Sequence, residues 1–331
     1  MKNLSIIGID VSKLFLDVYL LSCKYHFQVE NSPAGFAHLL EICCKKLGVP
    51  HEQLYFCFEH TGRYSRLLSV FLEQAGITFS QIPALDIKAS KGISRGKTDK
   101  ADARDIALYA WRKKDELKPT KLNSAETSEL RQLISLRDKL IKHRTAYKNS
   151  IKDLQDCYYE GETEFIKKTH KIMIEQLNEQ IKKVEDRMDA IICSMPEWKT
   201  NFKLIQSVRG VGPVIARYLI IFTENFTRFA NYRKFACYAG IAPFEYTSGS
   251  SVKGRTRVHS CANKQLKSLL NMAAMNAIQI PGEYKQYYQR RQKEGKNNMS
   301  TLNIIRNKLL ARIFAVVKRQ TPYVDLYKFA A

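Results

Sequence analysis

Leu4-Ser5-Ile6-Ile7-Gly8-Ile9 closes on Asp10, and Leu54-Tyr55-Phe56-Cys57-Phe58 closes on Glu59. These two apolar runs, each ending in a carboxylate, decide the fold of the first third of the chain. Short runs rich in β-branched and aromatic residues read as strands. Two more lie between them, at Leu14–Leu21 and His26–Glu30, and a helical pattern from Phe36 to Leu47 precedes the second quoted run. A helix over Tyr64–Ala75 and a strand over Ile77–Ile82 complete the series.

Three consecutive strands and then alternating helices and strands is the order of a ribonuclease-H-like α/β domain, although other doubly wound α/β arrangements satisfy it too. In open α/β sheets, ligands bind outside the carboxyl ends of the strands, where Asp10 and Glu59 stand. Residues 86–98, rich in Lys, Arg, Gly and Ser, are expected as a mobile basic loop. From Ala101 the spacing of Ala103, Ile106, Ala107, Ala110 and Trp111 predicts a helix. Asp99 and Asp102 then lie at its entrance on one face, with Cβ atoms roughly 5–6 Å apart, a span that one divalent ion bridges. Either aspartate also suits a helix cap. Asp105 shares that face and ranks below them because it is further from the basic loop. Asp17, in mid-strand, is expected to face solvent.

The composition frames this acidic set. The 331 residues carry 54 Lys+Arg against 32 Asp+Glu, a formal net charge of +22, with 45% hydrophobic content. Such a chain folds into globular cores and attracts a polyanion, nucleic acid before membrane. Between Ser251 and Gln320 the acids are Glu283 and Glu294 alone, against fifteen lysines and arginines, so a polyanion surface is expected there. Tyr284, Tyr287 and Tyr288, interleaved with Lys285, Arg290 and Arg291, suit stacking on unpaired bases or plain helix packing. Eight cysteines without C-x-x-C spacing read as reduced core residues. The chain enters a strand at once and has no apolar run of bilayer length; a soluble, cytoplasmic protein is expected, with no membrane partner.

The middle of the chain is helical. Leu133, Leu140, Tyr147 and Leu154 recur every seven residues, and Ile174, Leu177, Ile181, Val184, Met188, Ile191 and Met195 alternate spacings of three and four. That is a coiled-coil seam, formed either within one chain or between chains. After Pro196, Arg209-Gly210-Val211-Gly212-Pro213 precedes a helical run. Its glycines allow a tight turn whose N–H groups suit a phosphate, as in helix-hairpin-helix modules, or an ordinary helix–helix turn.

Asp10, Glu59, Asp99 and Asp102 supply the hard oxygen ligands that Mg²⁺ prefers, and phosphodiester chemistry uses such ions to stabilise the attacking and leaving oxygens. A second candidate is Tyr246-Thr247-Ser248-Gly249-Ser250-Ser251, ahead of Lys253-Gly254-Arg255-Thr256-Arg257. A serine among cations is a possible nucleophile on a phosphate.

Ile7-Gly8-Ile9-Asp10-Val11-Ser12-Lys13, Glu59-His60-Thr61-Gly62-Arg63-Tyr64 and Thr98-Asp99-Lys100-Ala101-Asp102-Ala103 together resemble the DEDD transposases of the insertion-sequence one-ten family, relatives of the Piv DNA invertase. Val208-Arg209-Gly210-Val211-Gly212-Pro213, Ala239-Gly240-Ile241-Ala242-Pro243 and Ser248-Gly249 continue the resemblance in order. It implies a RuvC-like domain over 1–120, a coiled-coil linker over 121–198 and a mainly α C-terminal transposase domain over 199–331. It also implies a recombinase guided by a bridge RNA that pairs with target and donor DNA, acting as a dimer that pairs into a tetramer. Carried over, Asp10, Glu59, Asp99 and Asp102 bind Mg²⁺, with Mn²⁺ as a substitute, and Ser248 forms a phosphoserine with the DNA. Ser250, Ser251 and Tyr246 are the competing nucleophiles. Where many relatives have Gly-Asn followed by Leu-Arg, this chain has Ala262-Asn263 and Leu266-Lys267; a lysine keeps the charge but not the planar fork. The rival readings are a RuvC-like junction-resolving nuclease and a nonenzymatic nucleic-acid-binding protein.

Overall fold

The computed structural model describes residues 4–60, 62–91, 98–159, 161–248 and 252–324. The chain divides into two compact units, Met1–Asn123 and Ser124–Ala331.

The first unit is mixed α/β. Strands β1 (Ser5–Val11), β2 (Phe15–Leu20) and β3 (Tyr25–Glu30) form an antiparallel meander, and β4 (Leu54–Glu59) and β5 (Thr78–Ile82) add parallel to β1, giving the order β3-β2-β1-β4-β5. Side chains alternate across a strand. Ile7 and Ile9 of β1 and Phe56 and Phe58 of β4 therefore meet Phe36 and Leu39 of α1 (Pro33–Leu47) and Leu68 and Leu72 of α2 (Arg66–Gln74). On the other face Tyr55 and Cys57 pack against Ile106 and Ala110 of α4 (Asp99–Arg112) and Ile87 of α3 (Ala84–Ser90). Part of the segment expected as a basic loop is thus the helix α3, held by the buried Ile87; residues 92–97 lie outside the described residues.

Helix α4 sits directly on β1 because Gly8 has no side chain. A Cβ there would fall 2.3 Å from the Ala103 carbonyl oxygen and 2.5 Å from the Ala107 nitrogen. Gly8 and Asp10 share a face, so the contact that seats α4 also brings its first turn over Asp10.

The second unit is mostly helical. Helices α5 (Ala125–Cys157) and α6 (Glu164–Ser194) pack antiparallel within one chain. Arg187 meets Glu129 at 2.8 Å, Arg137 donates to Glu185 at 2.6 Å, and Tyr147 packs on His170 with ring centroids 5.1 Å apart. The seam expected on α5 is displaced: Leu130 and Ile134 are buried, while Leu133 and Leu140 are only partly so. The reason is that α5 serves a second partner as well as α6. Leu130, Ile134, Met188 and Ile192 share one core with α7 (Pro196–Gln206), α8 (Pro213–Thr223), α9 (Tyr232–Tyr238), α10 (Lys264–Gln279) and α12 (Asn298–Arg319). Of residues 121–198, expected as a coiled-coil linker, the stretches around 130–140 and 184–195 pack with the C-terminal helices, and the second unit begins at Ser124.

Polar groups specify that core. Tyr218, 1% exposed, donates to one oxygen of Asp138, and Gln265 donates to the other. Arg217 grips Asp189 with two bonds of 2.7 Å and reaches Glu185 at 3.1 Å. Gly210, at φ +83°, backs onto α10, where a Cβ would fall 2.7 Å from the Ala273 carbonyl oxygen; this packing accounts for the glycine. Between α9 and α10 a hairpin of β6 (Phe244–Ser248) and β7 (Val252–Arg257) departs from the helical pattern. All eight cysteines are free, but only Cys43 and Cys57 are fully buried, and Cys23, Cys157, Cys193 and Cys261 are exposed. Tyr284 of α11 (Glu283–Lys293) is 3% exposed with the Arg312 guanidinium over its ring at 4.8 Å, so it packs and does not offer a stacking platform. No helix of the described residues is long and apolar enough to cross a membrane.

These contacts set the expected cost of removing them. Gly8→Val should destabilise the first unit by about 1–3 kcal/mol or more through overpacking against α4, read from urea unfolding of the full chain. Tyr218→Phe leaves the Asp138 carboxylate short of a donor and should cost about 1–3 kcal/mol, again by urea unfolding.

Candidate functional site

Asp10 lies near the end of the central strand β1 and Glu59 ends its parallel neighbour β4. Thr98 caps α4, its hydroxyl accepting from the Ala101 N–H at 3.2 Å. Neither aspartate is needed as the cap, and Asp99 and Asp102 occupy the first turn with their carboxylates free of the helix backbone's capping role.

The structure brings most of these acids together. Asp10, Glu59, Asp102 and Asp105 line one cavity of about 490 Å³, with Lys88 and Lys91 as its cations and Ile87 and Ile106 among its apolar walls. Asp105, ranked below Asp99 from the sequence, is one of the lining residues. Asp99 is exposed and does not line the cavity. Its charge nevertheless reaches Asp10, whose pKa is pushed up to about 6 by burial first, then by Asp102, Asp99, Glu59 and Asp17. Crowded carboxylates of this kind repel one another unless a cation joins them.

Asp17 corrects an expectation. It pairs directly with Asp10 across the β1–β2 ladder and is 6% exposed, so it faces inward. His26 lies 3.0 Å from one of its oxygens and Gln28 donates to the other at 3.1 Å. The sequence carries a signal for this: His26 and Gln28 alternate on β3 as Asp17 and Tyr19 do on β2, a polar patch on one face.

Lys91 is the other residue that sequence reasoning missed. Its ammonium lies 2.5 Å from Asp102 Oδ1 and 3.5 Å from Asp105 Oδ2. Burial alone would lower its pKa, but the bonds and charges of Asp102 and Asp105 raise it. Among the described residues no three His, Cys, Asp or Glu side chains close around one point as a finished metal site. The donor chemistry still fits a hard cation: the ligands are carboxylate oxygens, and a lysine ammonium already serves as a cation against two of them.

The serine candidate lies on the second unit. Ser248 ends β6 opposite Val252; Gly249, Ser250 and Ser251 lie outside the described residues. Both roots of this hairpin are tied to helices. Asn303 and Asn307 of α12 donate to the Ile241 carbonyl at 2.9 and 3.0 Å, and the Asn263 N–H donates to the Tyr238 carbonyl at 2.8 Å. Gly240, at φ +67°, lets Ala262 approach, since a Cβ would fall 2.6 Å from that methyl. The departure at Ala262 thus sits at the root of the hairpin. Several C-terminal cations are committed internally. Arg312 holds Glu283 at 2.6 Å, Arg291 holds Glu294 at 2.8 Å, and Arg306 is buried.

Residues 7–160 match the IS110 DEDD family described as "Transposase", and residues 202–289 match "Transposase IS116/IS110/IS902 family". The chain is 25% identical over 327 residues to the "Pilin gene-inverting protein" of Moraxella lacunata, covering 96% of this chain and 97% of that protein. It is 26% identical over 147 residues to the "Insertion element IS110 uncharacterized 43.6 kDa protein" of Streptomyces coelicolor, covering 44% of this chain and 35% of that one. A solved T. thermophilus RuvC in complex with a Holliday junction substrate aligns at TM-score 0.25 and 15% identity, over 36% of this chain and 99% of that one, too slight a likeness to bear on the fold. With family matches spanning both units and a relative aligned nearly end to end, the chain belongs to the IS110 family of DEDD transposases.

Proposed function

We propose that the chain is a recombinase of an insertion sequence that cuts and rejoins DNA strands through a phosphoserine, guided by a structured bridge RNA that pairs with target and donor DNA. The observation that carries this reading is that one family match, residues 7–160, contains the acidic set, and the other, residues 202–289, contains Ser248. The first unit would be the RuvC-like, ribonuclease-H-like part: the order β3-β2-β1-β4-β5, with β2 alone running against its neighbours, supports that assignment.

Asp10, Glu59, Asp99 and Asp102 would hold Mg²⁺, or Mn²⁺ in its place. Bound there, the ion supplies charge stabilisation at the attacking and leaving oxygens. The chain's own chemistry lies with Ser248. Its Oγ would form a bond to the DNA phosphorus as a phosphodiester P–O bond breaks, and the proton given up by the serine hydroxyl would be matched by one taken up on the leaving sugar oxygen, which departs as a hydroxyl. One ester replaces another, so resealing needs no ATP. The basic C-terminal segment would bind backbone phosphates. A dimer pairing into a tetramer on two DNAs completes the scheme.

The same sheet order also suits a RuvC-like junction-resolving nuclease that hydrolyses DNA with the acids alone. The two readings part at the serine. A denaturing gel of full-length protein with its flanking noncoding RNA, Mg²⁺ and both DNAs should show a covalent protein–DNA adduct. Ser248→Ala should abolish it, and Asp10→Asn should lower it by roughly 100-fold or more, the scale expected when charge stabilisation at the reacting oxygens is lost. Cleavage that survives Ser248→Ala without any adduct identifies the nuclease instead. Chelation with EDTA should abolish the adduct, and added Mn²⁺ should restore it.

A further inference from the structure

Lys91 is placed in a way that the strand-transfer chemistry does not require. Helix α3, seated by Ile87, ends at Ser90, and the next residue extends its ammonium into the acidic cavity. There it meets Asp102 at 2.5 Å and Asp105 at 3.5 Å, with side-chain exposures of 22% for Lys91 and 18% for Asp102. The pair is neither a surface ion pair in free exchange with water nor a sealed one. Lysine is a compact point charge on a flexible unbranched stem, closer in character to a bound metal ion than to an arginine fork. Lys88 lines the same cavity, but no ion pair joins it to these acids among the described contacts.

Building on the assignment of Asp10, Glu59, Asp99 and Asp102 as metal ligands, we propose that Lys91 is the site's resident counter-ion: it neutralises Asp102 while no divalent ion is bound and gives up that carboxylate when one enters. The acidic set is then held in place before loading, because a local cation offsets its mutual repulsion. Loading also carries a competition, since Asp102 serves one cation at a time, so metal affinity is set partly by a residue that is not itself a ligand.

The test uses the full-length chain and Mn²⁺ alone as the probe. Calorimetric titration should show Lys91→Met binding Mn²⁺ roughly tenfold more tightly than the unmodified chain, a discounted share of a close charge interaction at partial exposure. Lys88→Met, which removes the same charge from the same cavity without breaking the ion pair, should gain distinctly less. Lys91→Arg should stay nearer the unmodified chain. In parallel, acylation of lysines read by mass spectrometry is measured on the unmodified chain itself, so the test does not depend on how a variant folds. Lys91 should become several-fold more reactive with saturating Mn²⁺, while the exposed Lys171 stays constant. Equal tightening in Lys91→Met and Lys88→Met, or Mn²⁺ binding that leaves Lys91 acylation unchanged or slower, overturns the counter-ion role and leaves the metal assignment standing. Failure of both the unmodified chain and Lys91→Met to bind Mn²⁺ overturns the metal assignment, and the counter-ion role with it. Binding by Lys91→Met alone supports the counter-ion role.

Discussion

Helix α4 rests on strand β1 with no side chain between them at Gly8, and the acidic site depends on that contact. Ala103 and Ala107 are the small residues that complete the approach, and any Cβ at Gly8 would collide with the helix backbone. The period of two along β1 then puts Asp10 on the same face as Gly8, below the first turn of the helix. Thr98 supplies the cap, which leaves the acids of that turn to act on Asp10 instead of on their own backbone. A basic protein thereby gathers carboxylates it would otherwise keep apart, and the pKa of Asp10 is pushed up by its burial first and by these neighbours after it.

The second unit solves a different problem, that of presenting a short two-stranded hairpin from a helical body. A hairpin of this size is marginal by itself. Here its roots are anchored by the Asn303 and Asn307 amides on the Ile241 carbonyl, and by the close contact of Gly240 with Ala262. Helix α10 is fixed in turn by Gln265 on Asp138, shared with Tyr218. Ser248 ends a strand that is tied at its base, and the polar groups that hold it come from helices distant in sequence.

The strands of the first unit, α4 and the long helices are legible in the sequence because each depends on a local period, whereas the β6–β7 hairpin, in a Ser- and Gly-containing stretch, is not. The acids at the ends of β1 and β4 are legible for the same reason. The other features that escape depend on partners remote in sequence. Asp17 looks solvent-facing when its alternation is taken without the neighbouring strand, whose His26 and Gln28 make burial tolerable. Helix α3 is lost in a Lys- and Ser-rich stretch because one buried residue, Ile87, secures it. The α5 seam is displaced because Leu130 and Ile134 serve the C-terminal core as well as α6. Lys91 carries no signature in its own neighbourhood, since its role arises only when α3 and α4 meet.

If the Gly8 contact assembles a carboxylate site for a divalent ion, anomalous diffraction from crystals of the full chain soaked in Mn²⁺ shows it most directly. The expected result is an anomalous peak within ligand distance of Asp10 and Asp102, with the Lys91 ammonium no longer bonded to Asp102. Well-ordered crystals with no peak at these carboxylates, and Lys91 still on Asp102 at saturating Mn²⁺, would contradict it.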